Sequence, residues 1–133
     1  MISFFDKIKL NDMAYALKTL NEKTQVIARN IANHDTPFYK AQKLEFGEVM
    51  GAYYDDRNTP FYIKNEAYTG SPRYIEPASN FVRFQNNLSE RQDHNDVNLD
   101  YEMSEQAGAT ILYSAISQLA SGKITSLKEI LRS

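Results

Sequence analysis

The strongest constraint on this chain is a three-four repeat of apolar side chains near its start. Leu10, Met13, Leu17, Leu20, Ile27 and Ile31 are spaced so that an α-helix gathers them into one narrow stripe. A stripe of that width is the geometry of a coiled-coil seam, not of a helix sunk in a broad core. A second apolar helical run, Leu112 to Leu131, lies at the far end. Each stripe needs a partner. The simplest fold therefore brings the two ends together, within one molecule or among neighbours.

Local signals set the helix limits. Asn11 and Asp12 offer a start just before the regular repeat, and Ser3 with Asp6 loosely resembles an earlier capping box. Phe4, Phe5 and Ile8 fall off the later phase, so residues 3–10 read as a separate short helix or a leader. The first helix is predicted from about Asn11 to Ile31. It stops at Asn33-His34-Asp35-Thr36-Pro37, with Asn where a left-handed residue is tolerated and a proline that pushes Thr36 out of helical geometry.

The second helix is longer, capped by Asn98 or Asp100, with Asp100, Glu102 and Glu105 near the positive end of its dipole. Met103, Ala107, Leu112, Ile116 and Leu119 form its first apolar face. Beyond Ser121-Gly122, the residues Ile124, Leu127 and Leu131 resume on a rotated phase. Interior Gly108 and Gly122 each cost about 1 kcal/mol relative to Ala, which backbone proximity or bending would justify.

Between the helices, Pro60, Pro72 and Pro77 punctuate short runs at Phe61-Tyr62-Ile63, Arg73-Tyr74-Ile75 and Phe81-Val82-Arg83-Phe84. These read as loops with two or three short strands. The expected fold class is mainly α: long N- and C-terminal helices pairing as a coiled-coil-like hairpin, with an irregular or short-stranded middle. Residues 1–40 and 97–133 would form one helical core domain, and 41–96 the middle segment.

Composition narrows the function. With 42% hydrophobic residues and a mean hydropathy of −0.54, no stretch reaches the roughly 18 uninterrupted apolar residues of a membrane span. The start lacks the pattern of a cleavable secretion signal. There are no cysteines, which removes disulfides and thiolate chemistry together. Residues 1–40 carry six Lys/Arg against four Asp/Glu, 41–96 six against nine, and 97–133 three against four. No segment has the clustered positive face that nucleic acid requires.

Catalytic and metal signatures are also missing. There is no phosphate loop, no Gly-x-Ser-x-Gly and no zinc-binding His pair, and Asp55-Asp56 fall on an expected polar loop. His34 beside Asp35, and His94 beside Asp93 and Asp96, are turn residues of the kind usually solvated. Asp93-x-Asn95-x-Val97 fails the calcium-loop pattern at its third ligand. The expectation is a protein that is not an enzyme and needs no cofactor.

One segment is more specific. Asn30-Ile31-Ala32-Asn33-His34-Asp35-Thr36-Pro37-Phe38-Tyr39-Lys40 resembles the N-terminal signature of bacterial flagellar axial proteins, Asn-Ile-Ala-Asn-x-x-Thr-Pro-Gly-Tyr-Lys. Asp35 before Thr36-Pro37, and Leu44-Glu45-Phe46 shortly after, are similar to the basal-body rod protein B family in particular. Asp93 through Met103 resembles that family's Asp-Gly-Asn-x-Val-x-Leu-Asp-x-Glu-Met, and Leu119-Ala120-Ser121-Gly122-Lys123 its Leu-x-x-Gly-Lys. Phe38 stands where glycine is common, and His34 and His94 replace small residues.

The resemblance implies a structural subunit of the proximal flagellar rod. Such a subunit is exported unfolded by the flagellar type III apparatus without signal cleavage and polymerises through its terminal helices into a tube. The implied partners are other copies, other rod proteins, the rod-to-ring adaptor and the export gate. The helix-packing residues would be the stripes named above, and Asn30, Asn33 and Thr36 would be cap and turn residues or intersubunit hydrogen-bonding groups. The alternatives are another rod subunit, such as proximal rod protein C, and a soluble coiled-coil adaptor.

Overall fold

The computed structural model describes residues 9–58, 77–85 and 91–132. Along the chain these form α1 (Leu10–Ala32), β1 (Gln42–Lys43), α2 (Phe46–Asn58), a short 3-10 helix (Ala78–Phe81), β2 (Arg83–Phe84) and α3 (Leu99–Arg132). The mainly helical fold with long terminal helices is as expected. α1 and α3 pack against each other, and among the described elements α3 touches only α1. They run antiparallel, since Asn30 late in α1 meets Glu102 early in α3. Lys23, two turns back along α1, pairs with Glu105 at 2.6 Å.

The middle segment differs from its reading as loops and strands. Phe46–Asn58 is helical, so Asp55-Asp56 lie on a helix and not on a loop. Gly47 and Gly51 interrupt its apolar pattern and lower its intrinsic propensity, which hides it. What stabilises it is tertiary burial of Val49 and Tyr53 against α1. Of the three runs expected as strands, only the last lies among the described residues, and it divides between the 3-10 helix and β2. β2 pairs antiparallel with β1, Gln42 opposite Phe84 and Lys43 opposite Arg83.

The small core sits between α1, α2 and the 3-10 helix. Val26, Leu44, Val49 and Ala78 are buried together, with Tyr15, Phe81 and Val82 packed on them. Burial on α1 follows Asp12, Ala16, Thr19, Val26 and Asn30 as well as Leu20 and Ile27. The buried face is thus turned from the apolar stripe toward a partly polar one. Asp12 is not a cap: the helix begins at Leu10, and the Asp12 side chain is buried, accepting the Tyr53 hydroxyl at 2.9 Å. Tyr53 also stacks on Tyr15 with centroids 4.3 Å apart. Asn98 does cap α3, its Oδ1 accepting the Tyr101 N–H at 3.2 Å.

Candidate assembly surface

The two ends of the helical hairpin differ sharply. Its closed end, where α1 leads into the signature turn and α3 begins, is sewn together by buried amide side chains. Asn30 is fully buried and uses both amide hydrogens and both acceptor positions. Its Nδ2 donates to the Gln42 carbonyl at 2.6 Å and to Glu102 Oε1 at 3.0 Å. Its Oδ1 accepts the Gln42 N–H at 3.0 Å and the Tyr39 hydroxyl at 3.3 Å. Gln85, just past β2, donates Nε2 to the same Glu102 oxygen at 2.9 Å and to the Gln42 carbonyl at 3.2 Å.

Glu102 therefore ties the start of α3 to α1 and to the edge of the sheet at once. Burial pushes its pKa above the usual carboxylate range, opposed by the hydrogen bonds from Gln85 and Asn30 and by the charge of Lys23. The Tyr39 hydroxyl is also raised by burial, with Arg29 opposing and Glu102 adding to the shift. Tyr101 is raised by burial first and then by Glu105, Glu45 and Glu102.

Asn95 does for the two turns what Asn30 does for the helices. Its Nδ2 donates to the carbonyls of Asn33 at 2.9 Å and Thr36 at 2.7 Å, and its Oδ1 accepts the Val97 N–H at 2.8 Å. The Phe38 N–H donates to the Asp93 carbonyl at 2.9 Å and the Asp96 N–H to the Tyr39 carbonyl at 3.2 Å. Lys40 pairs with the buried Asp96 at 2.8 Å. Asn33 closes the helix end, Nδ2 to the Arg29 carbonyl at 2.8 Å and Oδ1 accepting the Thr36 hydroxyl at 3.2 Å.

Asn33 itself keeps a negative φ of −106°. The left-handed residues of the turns are Phe38, at φ 61°, and His94, at φ 55°. Asp35, Thr36 and Pro37 are exposed, Ile31 is half-buried and Ala32 exposed.

Away from the closed end the contacts thin out. On α3 only Glu102 and Ala109 are buried, with Ile116 and Leu127 half-buried. Met103, Leu112, Leu119, Ile124 and Leu131 are exposed, Leu119 at 60% and neighbouring Ile111 at 71%. The first apolar face predicted for α3 is therefore not the face turned to α1. Glu102 points inward to reach Asn30, and one residue on, about 100° round the helix, Met103 points out. A Cβ on Gly108 or Gly122 would meet nothing within 4 Å, so no close approach among the described residues explains either glycine. On α1, Leu20 and Ile27 are buried while Leu10, Met13 and Leu17 are half-buried.

Gln42, Gln85, Asn95 and the role of Glu102 escape sequence reasoning, because periodicity finds apolar faces and is blind to polar groups buried in pairs. Among the described residues no group of three or more His, Asp or Glu is placed to hold a metal, and no helix is long and apolar enough to cross a membrane.

No family model matches the chain. Whole-chain relatives do. It is 32% identical over 126 residues to the flagellar basal body rod protein FlgB of Bacillus subtilis (strain 168), covering 92% of each chain. The chain belongs to the FlgB family. The FlgB of Proteus mirabilis (strain HI4320) is 27% identical over 88% of each chain. That of Aeromonas hydrophila is 24% identical, over 89% of this chain and 88% of its own. Within this FlgB-family chain the signature residues divide by role: Asn30 and Tyr39 join the buried amide network, Asn33 and Thr36 close the helix end, and Lys40 anchors Asp96.

Proposed function

We propose that this chain is a structural subunit of the proximal rod of the flagellar basal body, polymerising through its terminal helices into the hollow shaft that carries torque and exported subunits. One observation carries this reading beyond family membership: a helix of 34 residues leaves Met103, Ile111, Leu112 and Leu119 in solvent. Leu112 and Leu119, seven residues apart, share one side of the helix with Ile111 beside them; exposed apolar surface of this kind marks an interaction site, and it suits a neighbouring helix. Contacts of that kind that do not close into a ring build helical assemblies.

In this reading residues 1–40 and 97–133 form the helical core of the polymer and 41–96 its lateral part. Leu10, Met13, Leu17, Leu20, Ile27 and Ile31 on α1 hold the subunit's own hairpin on one side and border neighbours on the other. Met103, Leu112, Ile116, Leu119, Ile124, Leu127 and Leu131 supply the second helix surface. The partners are copies of the chain, other rod proteins, the rod-to-ring adaptor and the export gate, reached by flagellar type III export without signal cleavage. The chain has no catalytic role. Its buried polar residues orient backbone, and their hydrogen-bonding capacity is directed at one another.

The test is to express Ile111→Asp and Leu119→Asp in cells lacking the native gene. Export into the culture medium should continue while basal bodies fail to mature and swimming is lost. Normal swimming by both variants overturns the reading.

A further inference from the structure

Two strained residues meet at the closed end of the hairpin. Phe38 follows α1 and His94 precedes α3, and both hold left-handed backbone, at φ 61° and 55°. A bulky side chain in that region is costly and persists only where its surroundings over-determine it. Here the two rings stack on each other, centroids 5.4 Å apart and planes 19° from parallel, within the favourable range for offset aromatic pairs. The backbone beneath them is joined by the Phe38 N–H to the Asp93 carbonyl at 2.9 Å. Phe38 is nonetheless 72% exposed, so burial does not explain why either ring is there.

We propose that Phe38 and His94 form an aromatic clasp that holds the closed end of the hairpin shut in the free subunit. Each ring stabilises the strained conformation that presents the other, so the pair acts as a unit. The clasp sets the two turns, and through them the approach of α1 to α3, before any neighbour covers the open faces. It does not depend on which assembly the subunit joins.

The experiment is a double-mutant cycle on the full chain with Phe38→Gly, His94→Gly and both together. Glycine accepts the same φ, so the substitutions remove the rings without adding strain. Amide hydrogen exchange is read at residue 38 and at Asp96, whose N–H groups bridge the turns. A clasp makes the two substitutions non-additive by about two- to tenfold in exchange rate, the size of an aromatic pair contact. As an independent measurement, the His94 ring protons should lie upfield in the NMR spectrum under the Phe38 ring current and return to ordinary positions in Phe38→Leu. Additive exchange effects, or His94 resonances that Phe38→Leu leaves unmoved, would each overturn the proposal.

Discussion

The Asn30 side chain pairs with the backbone of Gln42 at two points, giving Nδ2 to its carbonyl at 2.6 Å and taking its N–H at Oδ1 at 3.0 Å. An amide on a helix thus serves as the missing neighbour of β1, whose other edge is occupied by β2. This is how a two-residue strand persists without a larger sheet.

Asn30→Ala should lower the unfolding free energy of the full chain by about 2–3 kcal/mol, since it strips partners from buried groups on three segments. Asn30→Asp keeps the acceptors but loses both donors and sets a second carboxylate against Glu102. It should be at least as damaging at neutral pH and should recover on acidification. Urea denaturation of the three proteins at neutral and mildly acidic pH checks both statements.

Glu102 has its folded-state pKa raised above the unfolded value, chiefly by burial. Between those two values the folded state binds the proton more readily. Its contribution to stability is therefore fully present below the unfolded pKa and is lost as pH rises through the folded pKa. Glu102→Gln keeps an acceptor for Asn30 and Gln85 and removes the titration. The variant should be no less stable than the wild type at neutral pH. The difference between the two should shrink or reverse toward about pH 4, the range of an ordinary carboxylate, when urea midpoints are compared across pH.

Leu44→Ala and Leu119→Ala delete the same atoms with opposite consequences. Leu44 lies in the core, and its loss should cost about 2–5 kcal/mol. Leu119 is exposed, and its loss should change the stability of the free subunit by no more than about 0.5 kcal/mol while impairing swimming. Thermal unfolding and motility assays on the same two variants separate fold from assembly.

Tyr53→Phe keeps the stack on Tyr15 and removes the hydroxyl that donates to buried Asp12. It should destabilise by about 1.5–3 kcal/mol, the range for a hydrogen bond to a charged group, measured by urea unfolding. An unchanged midpoint would mean the hydroxyl contributes nothing at that site.

The helices were legible because Leu10 to Ile31 and Leu112 to Leu131 repeat at helical spacing, and Asn98 announces its cap. Which face of α3 turns inward was not, because Glu102 and its two amide partners decide it. Those partners are separated in sequence from Glu102 by 72 and 17 positions. α2 was hidden for a related reason: Val49 and Tyr53 are held by contacts to α1 and the core, not by local propensity. Of the residues singled out in the signature, Asn33 and Thr36 do the capping expected of their types. Asn30 does more, reaching a strand 12 residues on. The left-handed turn positions fell on Phe38 and His94, which stand where the resembled motifs carry glycine, so the hint of positive φ lay in those motifs and not in the aromatic side chains themselves.

The amide network also governs how copies can exchange parts. Swapping α3 between two molecules must pass through a state in which Glu102, Asn30 and Gln85 have all lost one another, at about 1–3 kcal/mol for each buried group left unmatched. Exchange of α3 between two already folded copies is thereby slowed. The open faces carry no such barrier.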